Sequence, residues 1–191
     1  MTNESLPARF HLKRAVVLVG MMGSGKTAIG KALATRLTVP FLDSDAAIEE
    51  AAQLSIAEIF ERDGEPFFRK REAEVIARLM QGQPCILSTG GGAFMSAAVR
   101  DTIAQNGVAL WLDAALETLW ERVRHKDTRP LLRTANPRQT LADIYDARRP
   151  VYALAGLRTS IPAQTSIEQT TDLVMRTLAD APNLMEALDE H

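Results

Sequence analysis

The sequence has little cysteine, few aromatic residues, no excess of positive charge and no long hydrophobic run. Its 191 residues contain one cysteine and 5% aromatic residues, and 22 Lys and Arg stand against 24 Asp and Glu. A single cysteine excludes an intrachain disulfide, and the balanced charge argues against a dedicated nucleic-acid binder. The longest apolar run near the start, Ala15–Val19, is far short of the roughly 20 residues that span a bilayer. We therefore expect one soluble, cytoplasmic domain with neither a membrane nor a nucleic-acid partner.

Short apolar runs alternate with helix-like segments along the chain. The runs lack polar alternation and fall at residues 15–19, 39–42, 85–87, 108–112 and near 157. Strands of that kind are buried on both faces, as in parallel sheets covered by helices. Apolar residues recur at helical spacing over residues 26–37, 56–81, 97–105, 116–124, 141–154 and 166–178. This alternation predicts an α/β domain with a mostly parallel sheet.

The two ends and one internal stretch do not fit this alternation. Residues 1–12 have no periodic apolar pattern and predict a mobile N-terminal arm. Residues 181–191 predict an acidic C-terminal tail, and residues 124–137 combine basic residues with prolines. That internal stretch predicts a mobile, basic loop.

Residues 20–27, Gly-Met-Met-Gly-Ser-Gly-Lys-Thr, match the phosphate-binding pattern G-x-x-x-x-G-K-[ST] in full. They follow a predicted strand and open a predicted helix, so backbone N–H groups and the helix N-terminus can surround phosphates. Lys26 is expected to reach the β- and γ-phosphates, and Thr27 to bind Mg²⁺ through its hydroxyl. A tight turn with an incidental lysine is the alternative. Because the motif and its flanking elements agree, we predict a bound nucleoside triphosphate.

Glycines and carboxylates follow two other predicted strands. Gly90-Gly91-Gly92 suits the close approach of a small acceptor to bare backbone, with a flexible turn as the alternative. Asp43 and Asp45 lie at the edge where open α/β sheets bind ligands. Asp43 could hold Mg²⁺, directly or through water. Asp45 could accept a proton from an attacking hydroxyl, or it could be the N-cap of a helix that begins near Ala46.

Three arginines are candidates for binding anionic groups. Arg69 lies in a predicted helix with Glu72 three residues later, Arg148 lies in a second helix, and Arg129 lies in the basic loop. Guanidinium groups form paired hydrogen bonds with carboxylates and phosphates. For each arginine alone, the alternative is an ordinary solvated position on the surface.

Taken together, these residues resemble the shikimate kinases, enzymes of the nucleoside-monophosphate-kinase fold. The matching segments appear in the family order and are residues 20–27, 43–45, 68–72, 90–92, 129–132 and 148–152. The resemblance implies ATP-dependent phosphorylation of the shikimate 3-hydroxyl, on the pathway to chorismate and the aromatic amino acids. It also implies a three-layer α/β/α P-loop fold with a five-stranded parallel sheet of order 2-3-1-4-5. A lid near residues 124–137 and a shikimate-binding helical segment at about 45–80 complete the expected domain.

The resemblance further implies a role for individual residues. The implied ATP-binding residues are Gly23, Ser24, Gly25, Lys26, Thr27, Ala28, Arg122 and Arg129. The implied shikimate-binding residues are Asp45, Arg69, Gly91 and Arg148, and the implied catalytic residues are Lys26, Asp45 and Arg129. Arg122 would stack on adenine, and Arg129 would reach over the phosphates from the lid. One Mg²⁺ per subunit, held by Thr27 and through water by Asp43, and a monomeric protein are also expected.

Other functions share part of this pattern. A gluconate kinase or a nucleoside-monophosphate kinase has the same phosphate loop, but does not require the combination of Asp45, Arg69, Gly90–Gly92 and Arg148. A regulatory nucleotide switch needs a guanine-specific Asn-Lys-x-Asp sequence, which this chain lacks. A binding protein without catalysis is disfavoured because the lysine, threonine, aspartate and lid arginine are all present.

Overall fold

The structure is a computed structural model that describes residues 9–125 and 130–188. Its strands are β1 (Phe10–Leu12), β2 (Ala15–Val19), β3 (Phe41–Asp43), β4 (Ile86–Ser88), β5 (Gly107–Ala114), β6 (Leu157–Ile161) and β7 (Met185–Ala187). Its helices are α1 (Lys26–Leu37), α2 (Ser44–Ala52), α3 (Ile56–Leu79), α4 (Ala97–Asn106), α5 (Leu116–Val123), α6 (Pro137–Tyr152) and α7 (Ile167–Ala179). Two short 3₁₀ helices span Ala93–Met95 and Pro130–Leu132. Within the described ranges, no helix is both long and apolar enough to cross a membrane.

Five parallel strands form the central sheet in the order β3-β4-β2-β5-β6. Counted along the chain, these five strands have the order 2-3-1-4-5. In the middle strand, Val16 pairs with Ile86 on one side and with Val108 on the other. Every residue of β2 is at most 4% exposed, and since successive side chains point to opposite faces, helices must cover both faces. The expected three-layer α/β/α fold and its strand order are confirmed.

The phosphate loop (residues 20–27) and helix α1 come directly after the buried central strand β2 in the chain. Gly25 precedes α1 with a φ of 95°, a left-handed conformation that glycine adopts without strain. Ile29, Leu33 and Leu37 recur at intervals of four along α1 and are buried. This apolar stripe packs the helix onto the sheet. The helix N-terminus is thereby fixed at the carboxyl end of β2.

The helix predicted over residues 56–81 is two helical segments that meet at Gly64. A reciprocal cap between Ser55 and Glu58 starts the first segment. Gly64 has φ 81° and ψ 169°, a combination open essentially only to glycine, and Pro66 follows in the first turn of the second segment. The second segment therefore has its own direction, which carries Arg69 toward the carboxyl ends of the strands.

The expectation of a mobile arm over residues 1–12 is wrong at its last three residues. Phe10–Leu12 pairs antiparallel with Met185–Ala187, which lies in the predicted C-terminal tail. Leu12 is 1% exposed and Leu184 is 4% exposed, so both belong to the core. Strands of three residues are too short to give a periodic signal in the sequence, which is why this pairing was not predicted. Residues 1–8 and 189–191 lie outside the described residues.

Replacing Leu12 with Ala tests whether this terminal pair belongs to the folded domain. Loss of a fully buried leucine should lower the free energy of unfolding by about 2–4 kcal/mol, as measured by urea denaturation. Leu188→Ala, at the other end of the pair where the side chain is 47% exposed, should change it by less than about 0.5 kcal/mol. Equally small effects of both substitutions would show that the pair contributes nothing to stability.

Candidate active site

The carboxyl ends of β2, β3 and β4 open onto one cavity of about 660 Å³. The phosphate loop forms one wall, the residues after β3 and β4 form a second, and the start of α7 forms a third. The predicted site residues that line it are Gly23, Gly25, Lys26, Thr27, Ala28, Asp43, Asp45, Gly91 and Arg122. The fold thus brings the predicted nucleotide residues and part of the predicted acceptor residues to one edge of the sheet.

The phosphate loop is closed by its own lysine. The Nζ atom of Lys26 donates to the carbonyl oxygens of Gly20 and Met21 at 2.8 and 3.0 Å. Gly23 has a φ of 83°, and a methyl group there would lie 2.7 Å from Cγ1 of Val123. The loop therefore needs glycine at this position for both its conformation and its packing. The lysine ammonium lies at the rim of the cavity, where phosphate oxygens would compete for it.

Arg122 and Ser24 occupy different positions relative to this loop. Arg122, in the last turn of α5, donates through Nη1 to the carbonyl oxygen of Gly23 at 3.2 Å and lines the cavity. Ser24 is fully buried, and its hydroxyl has no hydrogen-bond partner among the described residues. Of the two side chains, only the arginine can therefore touch a ligand in the cavity.

Asp43, and not Asp45, caps α2. Oδ1 of Asp43 accepts from the backbone N–H groups of Asp45 and Ala46 at 3.0 and 3.2 Å. The alternative that Asp45 is only an N-cap is therefore wrong, because the helix begins at Ser44, one residue after the capping side chain. Asp45 lies in the first turn of α2, and its Oδ1 is buried with no hydrogen-bond partner among the described residues.

The environment of Asp45 disfavours the ionised form of its carboxyl. Burial, reinforced by the negative charge of Asp43, raises the pKa of Asp45 to about 6. The positive charges of Lys26 and Arg69 act in the opposite direction but do not compensate. A carboxyl with a pKa near neutrality, at the rim of a phosphate-binding cavity, can accept a proton at physiological pH.

The Gly90–Gly92 run is covered by charged side chains. A methyl group at Gly90 would lie 2.9 Å from Oδ1 of Asp45 and 3.3 Å from Oε1 of Glu72. A methyl group at Gly92 would lie 2.4 Å from Nη2 of Arg69. None of the three glycines has a left-handed φ, so space rather than backbone conformation requires glycine here. In the structure the groups that approach this backbone closely are the site's own side chains, and the close approach of a small acceptor stays a prediction.

Arg69 is held by two glutamates of α3. Its Nη1 donates to Oε2 of Glu72 at 2.8 Å, and its Nη2 lies 3.2 Å from Oε1 of Glu65. Glu72 is 1% exposed, and burial raises its pKa against the opposing influence of Arg69. Its Oε1 has no hydrogen-bond partner in the described part of the chain. The i, i+3 spacing predicted the Arg69–Glu72 pair, but no pattern in the sequence indicated that Glu72 is buried.

Arg148 reaches the same run from α6. A methyl group at Gly91 would lie 3.2 Å from its Nη1. The hydroxyl of Tyr152, one turn further along α6, donates a hydrogen bond to the carbonyl oxygen of Gly91. Arg69 and Arg148 are not among the residues that line the cavity. Their guanidinium groups instead lie against the glycine run, which connects them to the cavity. Sequence reasoning assigned no role to Tyr152, although its spacing of four residues from Arg148 on one helix could have suggested one.

One part of the expected site lies outside the described residues. It comprises Arg129 and residues 126–128 of the expected lid. The loop before α7, in contrast, contributes Thr165 to the cavity, and Ser166, Ile167 and Thr170 follow from the start of that helix. The nucleotide side of the cavity is thus walled by α7 as well as by the phosphate loop.

Comparison with known proteins decides the family. A family model described as Shikimate kinase matches residues 22–179. The chain belongs to the shikimate kinase family. A shikimate kinase of Ruegeria pomeroyi is 61% identical over 175 residues, covering 92% of this chain and 90% of that protein. One from Cereibacter sphaeroides is 58% identical, with coverage of 92% and 87%.

The chain is also similar in structure to solved shikimate kinases. A shikimate kinase from Acinetobacter baumannii, in complex with shikimate, superposes with a TM-score of 0.80 at 34% identity, covering 89% of this chain and 96% of that one. The expected family, the P-loop kinase fold, phosphotransferase activity and ATP as co-substrate are confirmed. The Mg²⁺ ion, the monomeric state, the cytoplasmic location and the roles of individual residues stay predictions.

The raised pKa of Asp45 predicts that this carboxyl destabilises the fold at neutral pH. The folded state holds the proton more tightly than the unfolded state, so stability due to this group is present below pH 3.8 and is lost as pH rises to about 6. Asp45→Asn should raise the free energy of unfolding at pH 7.5 by about 1–3 kcal/mol, with a smaller gain at pH 4.5. Urea denaturation at both pH values measures this difference.

The exposed Asp101 on α4 provides the matched control. Asp101→Asn removes one negative charge from the surface and should leave the stability within about 0.5 kcal/mol at either pH. If Asp45→Asn destabilised the protein at pH 7.5, the carboxylate would be a net stabilising group and its burial would not govern its ionisation.

Proposed function

We propose that the protein transfers the γ-phosphoryl group of ATP to the 3-hydroxyl of shikimate, giving shikimate 3-phosphate and ADP. One observation carries the proposal at the level of the site: the buried carboxyl of Glu72, the half-buried carboxyl of Asp45 and two arginines meet on a bare glycine backbone beside the phosphate-binding cavity. A small acceptor with one carboxylate and several hydroxyls matches those groups in charge and hydrogen-bonding capacity.

The two substrates would occupy adjacent parts of the site. Lys26 would exchange its bonds to the loop carbonyls for the β- and γ-phosphates, with the N–H groups of the loop around them. Arg69 and Arg148 would bind the shikimate carboxylate from either side of the glycine run. Asp45 would accept hydrogen bonds from the ring hydroxyls through its unpartnered Oδ1.

Phosphoryl transfer then needs one proton acceptor. The 3-hydroxyl oxygen attacks the γ-phosphorus as the bond from that phosphorus to the β,γ-bridging oxygen breaks, and the hydroxyl proton passes to the Asp45 carboxylate. We assign to Arg129 the part of a lid residue that neutralises charge developing on the transferred group. Lys26 contributes through the phosphate loop.

A magnesium ion fits the oxygen ligands at one end of the cavity. The Thr27 hydroxyl and the Asp43 carboxylate line the same space, and Mg²⁺ prefers such oxygen ligands together with phosphates and water. Both backbone hydrogen bonds to Asp43 use Oδ1, which suits a contact to the ion through water. When bound, Mg²⁺ would neutralise charge on the β- and γ-phosphate oxygens.

An assay of ADP release with several acceptors tests the proposal. The purified protein with MgATP should release ADP on addition of shikimate, and not on addition of gluconate or nucleoside monophosphates. Phosphorus and proton NMR of the product should place the phosphate on the 3-hydroxyl. Faster turnover of gluconate or of a nucleotide, or phosphorylation at another hydroxyl, would contradict the proposed reaction.

Asp45→Asn tests the proton acceptor. Turnover of shikimate should fall at least about 100-fold, while the dissociation constant of MgATP, measured by calorimetry, stays within about threefold. For the wild type, kcat/KM should fall as pH decreases through about 6, because Asp45 must be ionised to take the proton. Asp101→Asn should retain both the turnover and the pH profile. Equal loss of nucleotide binding and turnover in Asp45→Asn would point to a purely structural role.

Gly92→Ala tests the contact between the glycine run and Arg69. The added methyl group would lie 2.4–2.8 Å from the guanidinium, so Arg69 must leave its place. We expect the KM for shikimate to rise about 10- to 100-fold, the scale of a lost charge-assisted hydrogen bond, with little change in the KM for MgATP. Gly82→Ala is the control, because no atom lies within 4 Å of its methyl position. If the KM for shikimate were unchanged in Gly92→Ala, Arg69 would not belong to the acceptor site.

A further inference from the structure

All three carbonyl oxygens of the glycine run accept hydrogen bonds, but the middle one differs from the others. The carbonyl of Gly90 accepts from the N–H of Ala93, and that of Gly92 accepts from the N–H of Met95, both at 3.1 Å. These two bonds belong to the local turn and the 3₁₀ helix that follows it. The carbonyl of Gly91 accepts from the hydroxyl of Tyr152, 61 residues further along the chain. Among the hydrogen bonds of the described residues, this one joins the run to α6.

The bond from Tyr152 fixes a peptide unit that can bind an anion. A peptide unit is planar, so holding the carbonyl of Gly91 also sets the direction of the N–H of Gly92. Successive glycines have wide conformational freedom, and without this restraint the peptide could rotate. Among the described residues, the N–H groups of Gly91 and Gly92 have no hydrogen-bond partner. Adjacent N–H groups of this kind form a site for a carboxylate or phosphate oxygen.

Tyr152 is buried and lies one helical turn after Arg148 on α6. It is 1% exposed, and its ring stacks on that of Trp111 with a centroid distance of 6.1 Å. Burial raises the pKa of its phenol, while the nearby positive charges of Arg148 and Arg69 lower it. Arg148 in turn lies against the Cα position of Gly91. The phenol therefore donates to the backbone of the same glycine that the Arg148 guanidinium lies against.

We propose that Tyr152 is a positioning residue for the carboxylate of the acceptor, acting through the Gly91–Gly92 peptide and through Arg148. The inference rests on the proposed function, in which Gly91 and Arg148 bind that carboxylate. Tyr152 does not touch the acceptor. It holds the donors that do, in the orientation that binding requires. Loss of the hydroxyl would leave the ring packed on Trp111 but release the peptide and the guanidinium.

Tyr152→Phe removes the hydroxyl and keeps the ring. We expect the KM for shikimate to rise about five- to tenfold, the scale of one hydrogen bond, with kcat and the KM for MgATP within about twofold. Tyr145→Phe is the matched control, because it makes the same change two turns earlier on α6, at a half-buried tyrosine. Its kinetic constants should equal those of the wild type.

An acceptor without the carboxylate separates positioning from general damage. With a shikimate analogue in which the carboxylate is reduced to a hydroxymethyl group, wild type and Tyr152→Phe should give the same kcat/KM within about twofold. In the Arg148→Ala background, Tyr152→Phe should cost less than it does in the wild type, because the two residues act together. An equal penalty with both acceptors, or equal rises in the KM values for shikimate and MgATP, would show a merely structural role and overturn the proposal.

A measurement on the wild type keeps the inference testable if Tyr152→Phe does not fold. In ¹⁵N-labelled protein, shikimate should shift the amide signals of Gly91 and Gly92, and the carboxylate-free analogue should not. Absence of these shifts overturns the positioning role. Failure of the proposed function can be distinguished from failure of the positioning role. If the proposed function is wrong, the wild-type protein itself does not phosphorylate shikimate, whatever the variants do. If shikimate is turned over but Arg148→Ala leaves its affinity unchanged, the carboxylate site assumed here is wrong.

Discussion

The candidate site depends on contact between a bare backbone and charged side chains from three helices. Gly90 lies against Asp45 of α2 and Glu72 of α3, Gly91 against Arg148 of α6, and Gly92 against Arg69 of α3. A methyl group at Gly90 or Gly92 would lie closer to these groups than real side-chain carbons do. The glycines therefore set how near the helices can bring their charges to the edge of the sheet. Adding volume there would separate the charges without touching the phosphate loop.

Burial makes this arrangement costly until a ligand completes it. Oδ1 of Asp45 and Oε1 of Glu72 are both buried and have no hydrogen-bond partner among the described residues. A buried polar atom without a partner costs free energy. Arg69 offsets part of that cost for Glu72 through its 2.8 Å contact, but the pKa values of both carboxyls remain raised. Hydroxyl groups of an acceptor would supply the missing donors, so substrate binding would relieve a penalty that folding incurs.

Local patterns in the sequence predicted most of the fold and the identity of most site residues. The phosphate loop and the central strand follow from residues that are neighbours in sequence, whereas the strand order was implied only by the resemblance to the shikimate kinases. The partners of the glycine run do not, because Tyr152 and Gly91 are 61 residues apart and meet only when α6 packs against the sheet. Asp43 and Asp45 are two residues apart, and which of them caps α2 depends on the residue at which the helix begins. The pairing of β1 with β7 joins short segments from opposite ends of the chain, with no periodic signal in either.

The glycine run packs directly against the phosphate loop. A methyl group at Gly91 would lie 3.6 Å from the carbonyl oxygen of Gly20 and 3.7 Å from the backbone nitrogen of Met22, both in the phosphate loop. Lys26 donates to that same carbonyl oxygen of Gly20. At Gly91 the backbones of the two loops lie close together, beside the guanidinium of Arg148, so backbone packing contributes to their spacing. A fixed distance between the two loops favours direct phosphoryl transfer between bound substrates. An enzyme accelerates such a reaction by holding the reacting atoms in position, so a small displacement between them sharply lowers the rate.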